Sequence, residues 1–394
     1  MTAKDRPPYR PYHYLEPDTD YRAFQLAREL ERVPSKRYPL DAEQERRLQG
    51  ILERAPLVSS HDHCIVLPED IGEIHEYARE KRTWTGYAGL AAAGVDVVLE
   101  AFLDGMGGWR WDDVIFDLGM RYSDIAHQDF VYRAETVADL ERSKPSGKVA
   151  LVATLECATM IEDDVDRVDV LYGLGVRVMG ITYSESNALG TGLREERDGG
   201  LTDLGRAAVR RMNKVGMTID VSHSSDRTAC DAIDASEGPI LITHAGARAL
   251  WNTKRMKPDD VLKACAEKGG LIGIEAAPHT TLTDKHPRHS LESVMEHVAY
   301  CVDLMGVDHV GLGPDTLFGD HVGLHRAFAA ALSIGRIQQG VRYTPVEYVE
   351  GMESPAEAMP NAARWLVAHG YRDEDVAKIV GGNVLRVLRE TWAR

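Results

Sequence analysis

Residues 218–244 read TIDVSHSSDRTACDAIDASEGPILITH. Two short apolar runs, 218–223 and 239–244, have the length and continuous hydrophobicity of strands buried on both faces. Between them, 226–235 carries a helical pattern. The unit is strand, helix, strand, and both strands terminate in histidine, His223 and His244. Such histidines are often satisfied core residues, but two in succession at the same end of neighbouring strands point toward a shared site.

The same alternation extends in both directions. Strands are expected at 56–61, 95–100, 149–156, 176–182, 218–223, 239–244, 270–275 and 309–315, with helix patterns at 165–172, 202–215, 226–235, 258–268 and 291–305. Eight repeats fit a closed barrel, although an open doubly wound sheet has the same local grammar. The polar residues decide between them. His61, His63, Glu156, His223, His244 and Asp315 all fall at or just beyond strand ends. In a (β/α)8 TIM barrel every strand C-terminus opens on one face, so these scattered residues would meet; an open sheet would string them along an edge.

Residues 1–50 show no clean strand and read as an N-terminal extension packing on the barrel of 51–394. Within 41–54, Asp41 is a candidate N-cap and Glu43–Arg47 a candidate i,i+4 pair. The stretch 316–348 reads as a long loop after the eighth strand, a common place for a substrate lid, followed by closing helices, the first capped by Ser354.

Chemistry concentrates in a few segments. Val58-Ser59-Ser60-His61-Asp62-His63 places two imidazoles at i and i+2 on an extended strand, on one side and able to share a metal. Glu156 follows an apolar strand; its carboxylate would be costly to ionise alone but stable between two cations, with a salt bridge as the alternative. Asp315 is the candidate proton carrier, or else a loop cap. Cys64 and Cys157 neighbour these positions and should face away by strand alternation. His279, His286, His289, His321 and His325 crowd the loops after strands seven and eight, without a sign of which meets substrate.

Composition narrows the partners. With 62 acidic against 46 basic residues the net charge is −16, which repels nucleic acid and anionic membrane surfaces. Five cysteines without CxxC spacing give neither a disulfide framework nor a thiolate zinc knuckle, so a reducing, cytoplasmic setting is expected. No leader or membrane span is read from the sequence.

The ligand order, HxH after strand one, Glu after strand three, His after strands five and six and Asp after strand eight, resembles the amidohydrolase superfamily. The glutamate in place of a bridging lysine, with Gly200-Leu201-Thr202, Ile219-Asp220-Val221-Ser222-His223-Ser224, Lys254-Arg255-Met256-Lys257-Pro258-Asp259-Asp260 and Gly381-Gly382-Asn383, resembles the renal (membrane) dipeptidase family from about residue 55 onward. That resemblance implies two Zn2+ per chain: His61, His63 and Glu156 hold one, Glu156, His223 and His244 the other, with Glu156 bridging. It further implies Asp315 as general acid/base, Arg255 as the residue binding the substrate's terminal carboxylate, a metal-bridging hydroxide attacking a dipeptide or N-acyl amino acid, and a homodimer.

Two positions depart from the family pattern. His61-Asp62-His63 stands where the family has His-x-Asp, so His63 is expected to ligate and Asp62 to support from behind. Tyr183 stands where mammalian members carry a histidine near the scissile carbonyl; it can donate to a developing oxyanion without supplying a positive charge. Both lie near metal and substrate, which keeps hydrolysis of a non-peptide small molecule, such as a lactone or aryl amide, as the alternative.

Overall fold

The computed structural model of the 394-residue chain describes residues 9–102, 110–329 and 342–392. Among these residues nine parallel strands form one sheet: β1 (Val58–Asp62), β2 (Val97–Phe102), β3 (Val131–Arg133), β4 (Val149–Leu155), β5 (Val176–Gly180), β6 (Thr218–Asp220), β7 (Leu241–Ala245), β8 (Leu271–Ile274) and β9 (Val310–Leu312). Eight run β1-β2-β4-β5-β6-β7-β8-β9, at the eight expected places, and β3 is the one the sequence did not announce. It pairs with the first half of β4, from Val149 to Leu151, while β5 pairs with the second half, from Ala153 to Leu155. Three residues are too few to carry a strand pattern.

The ring closes at its C-terminal rim. Asp315 N–H donates to His61 O at 3.1 Å and His63 N–H to Thr316 O at 2.9 Å, joining the end of β1 to the chain leaving β9. The opposite end is plugged by the terminal helix Asn383–Trp392, whose Val384, Val387 and Leu388 pack with Val58, Leu99, Val152 and Leu271 inside the barrel. An apolar floor and an open polar rim follow from this arrangement, and they place the chemistry at the rim.

Helices cover the outside at the expected spans, including Asp203–Val215, Asp226–Ala235, Asp259–Glu267 and Leu291–Met305. Three local expectations are revised. Arg47 pairs with Asp373 at 2.5 Å rather than along its own helix, because the C-terminal helices pack against that face. Ser354 occupies the N-cap position of Pro355–Ala368 but its side chain makes no capping bond. The stretch after β9 carries a short helix, His321–Ala327, capped by Asp320, before the expected loop passes outside the described residues. Near the N-terminus, Tyr12 is buried and donates its N–H to Asp124 at 2.7 Å, Ala27 N–H bonds Leu67 O, and Arg32 pairs with Glu353.

Candidate metal centre

β1 does not alternate cleanly. Its register with β2 shifts between Ser59 and Asp62, and this irregularity aims two consecutive residues at β7. Ser60 Oγ donates to Thr243 O at 2.7 Å, while the His61 ring lies flat on His244, centroids 3.6 Å apart at 16°. Asp62 takes the other direction: its carboxylate accepts from Ser59 Oγ at 2.6 Å and from Thr316 N–H and Oγ1 at 2.9 and 2.7 Å. It thereby ties β1 to the chain after β9. Burial pushes its carboxyl up to about 6, against these hydrogen bonds.

His63, beyond Asp62, brings Nε2 to 3.7 Å from Glu156 Oε1 and 3.2 Å from Asp315 Oδ1. On the other side His223 Nε2 is 3.2 Å and His244 Nε2 3.7 Å from Glu156 Oε2. Glu156 thus offers one oxygen to each histidine pair. Ligand atoms within 4.8 Å of one another form three groups: His61, His63 and Glu156; Glu156, His223 and His244; and His61, His244 and Asp315.

These donors fit divalent cations. Imidazole nitrogens and carboxylate oxygens suit zinc and related ions. His61 Nε2 is buried without a hydrogen-bond partner among the described residues, and the Nε2 atoms of His223 and His244 stand 2.9 Å apart. A buried nitrogen without a partner, beside two imidazole nitrogens that close on each other and on one carboxylate, is the donor set a cation would satisfy. Burial first, then nearby positive groups including Arg255, hold His223 and His244 below the ordinary imidazole range, in the neutral, ligating form. Burial alone would raise Glu156, but the His223 bond and the facing imidazoles outweigh it and keep it ionised. Asp315 behaves likewise through His61 and His63. Its φ of 54° is a left-handed conformation, held by its own N–H bond to His61 O.

A layer beneath the histidines escaped the sequence reading. Asp220 Oδ1 accepts from Ser222 N–H and Oγ and from Thr243 N–H, at 3.1, 2.6 and 2.8 Å. Ser222 Oγ meets Thr243 Oγ1 at 3.0 Å, and Thr243 Oγ1 meets His244 Nδ1 at 2.8 Å. A carboxylate only accepts, so Ser222 spends its hydrogen on Asp220 and takes one from Thr243. Thr243 is then left to accept from His244 Nδ1–H, and Nε2 faces the cluster with a lone pair. The signal was there in polar residues at alternate positions of otherwise apolar strands.

Tyr183 stacks on His223, centroids 4.1 Å apart at 17°. Burial, then the charges of Glu156 and Asp315, hold its hydroxyl well above the usual range, so it stays an O–H donor. Arg255 is buried and committed: Nη2 donates to His244 O at 2.8 Å and pairs with Glu275, and Nη1 donates to Ser222 O at 3.3 Å. Glu275 follows β8 and closes the strand expected at 270–275, and nothing in the sequence marks it for this pairing. Cys64 and Cys157 are buried in the apolar layer outside the barrel. Of the loop histidines, His289 binds His279 N–H and Thr281, His279 binds Val346 N–H, and His286 lies 3.3 Å from Glu296. His321 and His325 pair their rings at 4.4 Å on the helix after β9.

An eight-stranded parallel barrel with histidine and carboxylate groups converging at its C-terminal rim is the architecture of the amidohydrolase-type metal-dependent hydrolases. The fold matches an amidohydrolase from Pseudomonas aeruginosa at 23% identity and TM-score 0.73, over 88% of this chain and 99% of that one. It also matches the probable dipeptidase PvdM of the same organism, at 21% identity and TM-score 0.69, over 90% and 100% of the two chains. The chain belongs to the membrane dipeptidase family (Peptidase family M19), whose sequence profile matches residues 45–325. Dipeptidase tcpJ of Claviceps purpurea is 31% identical over 277 residues, and dipeptidase aclJ of Aspergillus oryzae 29% over 264. These alignments cover 70% and 66% of this chain but 58% and 56% of the relatives, so the chain spans a little over half the length of each. Among the described residues no helix is long and apolar enough to cross a membrane.

Proposed function

We propose that this chain is a zinc-dependent hydrolase that cleaves the amide bond of dipeptides or related N-acyl amino acids. The observation that carries the reading is Glu156, with one oxygen toward His63 and the other toward His223 and His244. His61, His63 and Glu156 would hold one ion and Glu156, His223 and His244 the second. Bound there, the ions supply Lewis acidity and lower the pKa of water. The family and the dipeptidases among its relatives favour a peptide substrate over a lactone or aryl amide.

The protein's own groups then divide the work. Tyr183, kept protonated by burial, donates to the carbonyl oxygen as charge develops on it. Asp315, fixed beside His61 and His63, accepts the proton of the attacking water and returns it to the departing nitrogen. Arg255, held by Ser222 O, His244 O and Glu275, would bind the substrate's terminal carboxylate, as the family resemblance implies. We further propose a single barrel domain with residues 1–50 packed on it, a homodimer as the family resemblance implies, and a cytoplasmic setting supported by five free cysteines.

Steady-state kinetics of the zinc-loaded protein over a dipeptide library, beside lactones and aryl amides, tests this. Turnover of a dipeptide subset is expected; turnover of lactones or aryl amides without any dipeptide or N-acyl amino acid would refute it.

A further inference from the structure

Arg255 is aimed by its ion-pair partner Glu275, which is fully buried beyond β8. Glu275 in turn is seated by the turn at 279–281. Thr281 Oγ1 donates to Glu275 O at 2.7 Å, and Thr280 shares its hydroxyl between the Glu275 carboxylate and Ala277 O, the latter at 2.6 Å. One turn thus holds Glu275 at both its carbonyl and its carboxylate.

The turn depends on His279, whose φ of 68° is left-handed and unfavourable for a residue with a Cβ. Such a conformation persists only where its surroundings over-determine it. Here His279 N–H donates to His289 Nδ1 at 2.9 Å, its Nε2 accepts from Val346 N–H at 3.0 Å, and its ring packs on Tyr343, centroids 4.7 Å apart. Val346 and Tyr343 belong to the chain returning from the loop after β9. That chain is bound alongside the turn's own loop, Thr344 N–H to Pro287 O at 3.1 Å and Leu291 N–H to Glu350 O at 2.9 Å.

His289 closes the connection. Thr281 spends its hydroxyl hydrogen on Glu275 O, so at 2.9 Å it accepts from His289 Nε2–H, while His289 Nδ1 accepts from His279. Only one neutral tautomer does both, and burial holds His289 well below the imidazole range. Val346, His279, His289, Thr281, Glu275 and Arg255 form one buried series. Apolar side chains would pack this turn equally well without giving it a direction; hydrogen bonds in series fix one.

We propose that His279, Thr281 and His289 are positioning residues for the carboxylate end of the substrate: they hold the turn that seats Glu275 and through it aim the guanidinium of Arg255. This rests on the reading above that Arg255 binds that carboxylate, and it adds the residues that set its aim.

The test is steady-state kinetics of the zinc-loaded wild type, Thr281→Val and Thr281→Ser with alanyl-alanine and alanyl-alaninamide, together with calorimetric Kd values for acetyl-alanine. Thr281→Val keeps the shape and removes both hydroxyl bonds. It is expected to raise KM for alanyl-alanine and Kd for acetyl-alanine about 10-fold, as for loss of a supporting partner, with kcat and zinc content held and alanyl-alaninamide little affected. Thr281→Ser, which keeps the hydroxyl, should restore both values. If Thr281→Val does not fold, His279→Gly decides in its place: glycine takes this φ without strain and only the ring contacts are lost, so the same split is expected. An equal weakening of both dipeptides, which general loosening of the rim would give, overturns the proposal. So does unchanged affinity for acetyl-alanine in the variant, or no binding of it by the wild type. Weakened binding of acetyl-alanine in the variant with cleavage of neither dipeptide by the wild type leaves the positioning role standing and overturns the hydrolase reading.

Discussion

Thr243 Oγ1 lies 2.8 Å from His244 Nδ1, and through Ser222 it is linked to the carboxylate of Asp220. This chain of hydrogen bonds runs in one direction only, so it fixes which nitrogen of His244 carries the proton and leaves Nε2 open toward Glu156. Thr243→Val keeps the shape and removes both bonds. Metal affinity is expected to fall about 10- to 100-fold, the usual effect of losing such a supporting partner. Competition titration against a chelator measures it; an unchanged affinity removes the relay from the account.

Gly180 ends β5 where a side chain has no room. A Cβ there would stand 2.0 Å from the carbonyl oxygen of Glu156, a contact with backbone that no rotamer relieves. Gly180→Ala should therefore cost about 1–3 kcal/mol and shift Glu156 out of line with its histidines. Both the thermal midpoint and the bound metal should drop. A variant with wild-type Tm and full metal content would show that β5 does not position Glu156.

Asp315 is argued to move a proton. Asp315→Asn keeps its size and its backbone bond to His61 O but cannot take up the proton of water. We expect kcat to fall about 10²- to 10⁴-fold with both metal equivalents retained. Turnover at the wild-type rate would assign Asp315 to structure alone.

Acid should destabilise the fold through histidines remote from the metal. His297 is buried, accepts Ala247 N–H at Nδ1 and donates from Nε2 to Leu282 O, each at 2.9 Å, which only the neutral ring can do. Burial pushes its pKa down to about 4, and that of His289 well below the imidazole range. A group depressed in the folded state contributes stability that is present above its unfolded pKa, ordinarily 6.5, and is lost as pH falls toward the folded value. For His297 the loss amounts to about 3 kcal/mol. Urea midpoints should be flat from pH 8 to 7 and decline from about 6.5 to 4. In His297→Gln the decline should be shallower; an identical slope would rule out His297 as a source.

The barrel was legible because each strand is a short apolar run ending in a polar residue, and a closed ring is what collects His61, Glu156, His223, His244 and Asp315 on one face. What escaped depended on geometry that spacing does not encode. The irregularity between Ser59 and Asp62 turns Ser60 and His61 the same way, which strict alternation forbids. Glu275 ends its strand as Glu156 does, and nothing local says that one faces histidines and the other Arg255. Asp220, Ser222 and Thr243 look like ordinary strand polar residues until β6 and β7 lie side by side. Arg47 finds Asp373 across more than three hundred residues instead of a neighbour on its own helix.

Anomalous diffraction at the zinc edge, from crystals of the zinc-loaded protein, probes the metal pair most directly. Two peaks about 3.5–4 Å apart are predicted, one beside His61 and His63, the other beside His223 and His244, with the carboxylate of Glu156 between them. A single peak that excludes Glu156, or no peak among these five side chains, would contradict the account.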